Sequence, residues 1–170
     1  EKTGLSKGAF YHYFQSKEQV FEEVINHFYR GFIITDYTKF SQNSLIDFYT
    51  DYLNEKKKRL NSSKLKDDDD NVVFTSNHYF LMFDAMKMLP DFKELRKKDE
   101  QNGLKAWVKI VETAKKSGEI KSKMGTEEIA KLFIYSAKGV SLNCIIEDKY
   151  DDARKKVKQI WDELYKELRK

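Results

Sequence analysis

The 170-residue sequence has one cysteine, Cys144, and one proline, Pro90. A lone cysteine excludes an internal disulfide and a cysteine-only metal cluster, and it suits a reducing, cytoplasmic setting. Scarce proline and 35% charged residues favour long solvated helices over sheet. No apolar run is expected to reach the roughly 18 residues of a membrane span, and no signal peptide is visible. A strong excess of one charge is also missing: 32 basic against 28 acidic residues leave +4. That balance permits nucleic-acid binding without requiring it. There is no Gly-rich phosphate loop, no pair of histidines at metal spacing on one helix and no G-x-S-x-G elbow. So no catalytic residue, metal site or cofactor is assigned, and an enzyme is the remotest of the function classes.

The length fits about one domain, large enough to bury roughly 70% of its unfolded surface. There are no internal repeats and no strand-like alternation, so the chain is expected to be all-α.

The densest information lies at the start, in Thr3-Gly4-Leu5-Ser6-Lys7-Gly8-Ala9-Phe10-Tyr11-His12-Tyr13-Phe14-Gln15-Ser16-Lys17-Glu18. Gly4 permits the left-handed backbone that ends one helix, and Ser6 is a good N-cap for the next. Phe10, Tyr13 and Phe14 recur at i, i+3 and i+4 and form an apolar face. Lys7, Gly8, Tyr11 and His12 form the opposite face, small, basic and hydrogen-bonding. Two helices joined by a short glycine turn make a helix-turn-helix, whose second helix enters the major groove.

Residues Gly4 to Glu18 resemble the signature of the TetR family of bacterial transcriptional regulators. The stretch is long and gapless but covers only about a tenth of the chain. In that family two helices precede this point, so the resemblance implies a headpiece that is incomplete within residues 1–170. Ala9 stands where the family often has Thr, one hydroxyl fewer. The resemblance implies that Ser6, Lys7, Gly8, Ala9, Tyr11, His12, Tyr13 and Lys17 meet DNA. Lys7, Gly8 and His12 would face base edges, while Tyr11, Tyr13 and Lys17 would anchor phosphates. The plain alternative for Lys17 is an exposed surface lysine.

Beyond the motif, Ser16 caps a helix with Gln19 in capping-box position. That helix carries Val20, Phe21, Val24, Ile25, Phe28 and Phe32 on one stripe and is expected to run to about Asp36. A second helix, about 44–60, is expected to turn Leu45, Ile46, Phe48, Tyr49, Tyr52 and Leu53 inward, with Lys56 to Arg59 complementing its dipole. Asn61 to Asn71 reads as a loop. Its four aspartates, 67 to 70, read as a solvated run more than a cation site. Val72 to Leu89 is apolar nearly all round, which predicts burial on most sides. Pro90 opens a long helix that ends at Gly118. Thr126 is expected to cap the next helix, whose stripe is Ile129, Leu132, Phe133, Ser136, Ala137, Val140, Asn143 and Cys144. Cys144 reads as a small buried apolar residue. The last helix, about 151–169, places Ala153, Val157, Ile160, Trp161, Leu164 and Leu168 on one face.

The family resemblance implies two regions. Residues 1–36 would carry the partial headpiece and connecting helix, and 37–170 an effector-binding and dimerisation domain. A small apolar effector is expected among Tyr52, Phe74, His78, Met82, Phe83, Met86 and Trp107, although the same residues read equally as core. The homodimer interface is expected to use Ser136, Gly139, Val140, Asn143, Ile160, Trp161 and Leu164. The expected partners are double-stranded operator DNA, a small-molecule effector and a second copy, with no membrane. The expected function is a ligand-responsive repressor in the cytoplasm. The alternative is a helical small-molecule-binding or scaffold protein with no DNA role.

Overall fold

The computed structural model describes residues 12–62, 77–147, 149 and 152–170, and among them helices and turns appear with no strand. The described helices are α1 (Lys17–Ile33), α2 (Leu45–Ser62), α3 (Asn77–Met88), α4 (Pro90–Lys116), α5 (Thr126–Ile146) and α6 (Ala153–Arg169), with a 3-10 turn at Tyr37–Lys39. The all-α expectation holds. The run of four aspartates and Phe74 lie outside the described residues.

Local chemistry sets most helix ends. Ser16 Oγ accepts the Gln19 amide at 3.1 Å, as a cap should. The reciprocal bond is displaced by one residue: Gln19 Oε1 accepts from the Gln15 amide at 2.7 Å. α1 stops at Ile33, short of Asp36, because Asp36 caps the following turn by accepting from the Thr38 amide at 3.2 Å. Pro90 sits in the first turn of α4, where its missing N–H leaves nothing unbonded. Gly118 takes a positive φ of 76° beyond the end of α4, and Ile120 donates back to the Ala114 carbonyl at 3.2 Å. α5 departs from expectation at its start. Gly125 is the N-cap residue, and Thr126, expected as the cap, is the first helical residue with no side-chain cap bond before it.

The main core joins α2, α4, α5 and α6 around aromatic rings packed mostly edge to face. Trp107 lies 5.0 Å from Phe48, 5.1 Å from Trp161 and 5.2 Å from Phe133 between ring centroids. The Trp161 indole N–H donates to the Phe133 carbonyl and the Ser136 hydroxyl, both at 3.0 Å. Each such ring pair adds about 0.5–1.5 kcal/mol beyond its buried area. A smaller apolar cluster stands apart. Ile25 of α1, Ala85 of α3 and Phe92 of α4 are its buried centre, with Phe21, Leu81, Met82, Met86, Leu89 and Leu95 around them.

Several inward assignments are corrected. Ile46 and Leu132 lie outward, because each sits at the edge of a stripe whose centre alone meets the core. α3 is not buried on most sides. Among its described side chains only Ala85 is closed, while Phe80, Phe83 and Met88 are exposed, because α3 meets α1 and α4 along one narrow line. An apolar stretch long enough for a membrane does exist: α5 passes that test by length and composition, with 33% of the stretch buried. It escapes notice in sequence because Lys131 and Lys138 interrupt the run.

Candidate nucleic-acid interface

His12 and Tyr13 are helical, and both side chains are exposed. Their rings meet edge to face at 5.4 Å. Ser16 then turns the chain into α1, which places the exposed Lys17 in the first helical turn. This puts an imidazole, a phenol and an ammonium on the outside within six residues. An imidazole can read a base edge, while a phenol and an ammonium can hold phosphate oxygens beside a helix N-terminus. Ser6, Lys7, Gly8, Ala9 and Tyr11 lie outside the described residues.

Behind this surface α1 is fastened to the body at its far end. The buried Thr35 donates its amide to Asp99 Oδ1 of α4 at 2.9 Å. Arg96 pairs with Asp99 at 3.2 Å and with Glu100 at 2.8 Å, and Glu100 pairs with Lys138 of α5. Two residues past Thr35, Tyr37 packs over Gly103 of α4. Burial, with Tyr52 and the Asp99 charge beside it, pushes the Tyr37 phenol well above its usual value. Sequence reading missed this junction, because Asp99 and Gly103 lie more than sixty residues from the groups they touch.

The described residues expected around an effector are divided between the two apolar clusters. Trp107 is closed inside the main core. Tyr52 is half-buried beside it, with ring centroids 5.8 Å apart. Phe83 faces outward. Met82 and Met86 do come together, in the small cluster against α1. Phe74 and the side chain of His78 lie outside the described residues. Among the described residues no group of three His, Cys, Asp or Glu could hold a metal ion.

The residues expected between two copies divide in the same way. Trp161 is fully buried in its own chain and offers no surface to another, which corrects that assignment. Ser136 and Leu164 are partly closed. Gly139, Val140, Asn143 and Ile160 line an open groove between α5 and α6. Sequence reading overlooked Tyr135, Leu142 and Ile146, which are exposed on the same side of α5. Their heptad-like spacing was the signal that could have found them.

No curated protein and no solved structure matches the chain. The family model for bacterial regulatory proteins, tetR family, matches residues 1–24, which span the opening motif and the first turns of α1. That segment, similar to the DNA-binding end of such regulators, is here followed by an all-α frame among the described residues.

Proposed function

We propose that the chain works as a cytoplasmic homodimeric repressor that a small, largely apolar effector releases from its operator. Residues 1–36 serve as headpiece and connecting helix, and 37–170 bind the effector and the second copy. The observation that carries this reading is the link from the matched segment, through α1, to the apolar cluster of Ile25, Ala85 and Phe92. Met82 and Met86 border that cluster and can repack around an apolar molecule. A ligand lodged between α1 and α3 would change the direction of α1 and hence of the headpiece. It acts only through its different affinity for the two arrangements. In the bound dimer two recognition helices lie roughly 34–36 Å apart on a palindromic site.

The test is DNA binding by the protein with its full headpiece. Duplexes selected from a random library are followed by fluorescence anisotropy at several salt concentrations. Binding of two protomers to one selected sequence, falling steeply with salt, supports the reading. His12→Ala should change the selected sequence, whereas Tyr11→Phe should weaken all sequences alike and Lys17→Ala should lower the salt slope by about one. Enrichment of no sequence over random duplexes would hand the chain to the helical scaffold reading.

A further inference from the structure

The exit of α1 is tied into a polar chain that crosses α4 and reaches solvent on α5. The Thr35 amide donates to Asp99 Oδ1 at 2.9 Å. Arg96 donates Nη1 to Asp99 Oδ2 at 3.2 Å and Nη2 to Glu100 Oε1 at 2.8 Å. Lys138 of α5 donates to the other oxygen of that carboxylate, Glu100 Oε2. Each carboxylate therefore turns one oxygen toward α1 and the other away from it, and one guanidinium joins the two with an arm each. The chain is graded in exposure. The Lys138 and Glu100 side chains are 51% and 39% exposed, those of Arg96 and Asp99 23% and 10%, and Thr35 is buried. Lys138 also lies over the Tyr135 ring at 5.6 Å, so its ammonium has a second resting place on α5 itself.

A guanidinium binds a carboxylate most strongly with two parallel arms. Arg96 forgoes that geometry at both acids and holds one oxygen of each. Lys138 supports the division by occupying the far oxygen of Glu100. Without it, Glu100 offers both oxygens to Arg96 and draws the fork off Asp99. Asp99 then loses the donor that orients it, and the Thr35 amide loses an aligned acceptor. The outer pair is the sensitive link, because salt screens exposed charges much more than partly buried ones. Tyr37 stays packed over Gly103 two residues further on, so loosening at Thr35 leaves a hinge between a fixed Tyr37 and a freed α1.

We propose that Lys138 is a positioning residue for the connecting helix: through Glu100, Arg96 and Asp99 it latches the exit of α1 at Thr35, and rising ionic strength opens the latch. The latch stands on side-chain geometry and does not depend on DNA binding. Under the regulator reading above, it makes the placement of the headpiece depend on salt.

The test is amide hydrogen exchange of the full chain, followed by NMR at constant pH. Sodium chloride is raised from about 0.1 M to about 1 M, where the screening length falls from about 10 Å to about 3 Å. In the parent protein the Thr35 amide should exchange about two- to fivefold faster at the higher salt, the range an exposed ion pair can supply. The rate is read against the Trp107 amide, which reports opening of the main core. Lys138→Met should show the faster Thr35 rate already at the lower salt and should lose the salt response. Lys138→Arg should restore both. Arg96→Lys replaces the fork by a point charge, which serves one carboxylate at a time, and should leave Thr35 fast at either salt. A Thr35 rate indifferent to salt and to Lys138→Met overturns the proposal. An acceleration that Trp107 shares in equal measure also overturns it, because that is general destabilisation. A working latch in a protein that selects no DNA sequence supports the proposal and removes only the regulator reading.

Discussion

Two residues define how the connecting helix meets the body. Gly103 lies in the interior of α4, where glycine is otherwise unfavourable. A Cβ there would stand 2.6 Å from the Tyr37 hydroxyl and 3.2 Å from its ring carbon. The ring cannot swing aside, because Phe40, Phe48 and Tyr52 pack around it at 5.6, 6.4 and 6.5 Å. Gly103→Ala should therefore destabilise by roughly 1–2 kcal/mol despite its gain in helix propensity. In a Tyr37→Phe background the penalty should shrink, and a double-mutant cycle of thermal melts would read the difference. Asp162 makes a separate, titratable contribution. Burial raises its carboxyl, but bonds from Lys158 at 2.6 Å and from the Tyr49 hydroxyl at 2.9 Å prevail and hold it below the usual 3.8. The folded value lies below the unfolded one. The stabilisation is thus complete above the unfolded value and is lost as pH falls through the folded one. Asp162→Asn should cost roughly 0.5–1 kcal/mol at neutral pH, since the pair is partly solvated. In urea titrations the gap to the parent protein should close below pH 3.8.

At the scale of elements, Glu119 fastens three helices at one point. It stands in the turn between α4 and α5 and caps α2 from outside. Its carboxylate accepts the Leu45 amide at 3.0 and 2.9 Å through its two oxygens, and the Ile46 amide at 3.2 Å. A negative group at a helix N-terminus also complements the dipole. Tyr165 of α6 donates its hydroxyl to the same carboxylate at 3.0 Å. Glu119→Ala leaves two amides and a phenol without this partner and should cost roughly 1–3 kcal/mol. Hydrogen exchange at Leu45 and Ile46 should quicken in that variant, while exchange in the middle of α5 should change only as far as global stability does. Tyr165→Phe, which keeps the cap, should leave the Leu45 and Ile46 amides protected.

At the scale of the whole molecule, the buried apolar clusters among the described residues are two and unequal. The large aromatic core binds α2, α4, α5 and α6 together, whereas α1 and α3 rest on the small cluster around Ile25, Ala85 and Phe92. Helices with few buried contacts open at low free-energy cost. Amides of α1 and α3 should exchange about ten times faster than those in the core stretches of α4 and α5, as followed by mass spectrometry. An effector lodged in the small cluster should slow exchange there first. Equal exchange throughout would mean that the two groups unfold as one, and would weaken the case for α1 as a movable lever.

Sequence by itself determined the all-α frame and most of the helix ends, because both depend on neighbours within a few residues. The Ser16 cap, Pro90 opening α4 and Gly118 closing it are local chemistry, and so is the Gly4 to Glu18 motif that carries the family resemblance. Most inward positions of α2 and α6 were also legible, since a strong 3.6-residue period marks them, with Ile46 and Ile160 the exceptions. Tertiary structure decided what depends on partners distant in the chain. Trp107 and Trp161 became core because four helices meet there, and Glu119 became a cap for a helix 74 residues away. Thr35 found Asp99 only once α1 lay on α4. On α5 and α3 the composition was too uniformly apolar to distinguish an inner face from an outer one, so Leu132, Phe80 and Phe83 could be placed only by knowing which neighbours cover them.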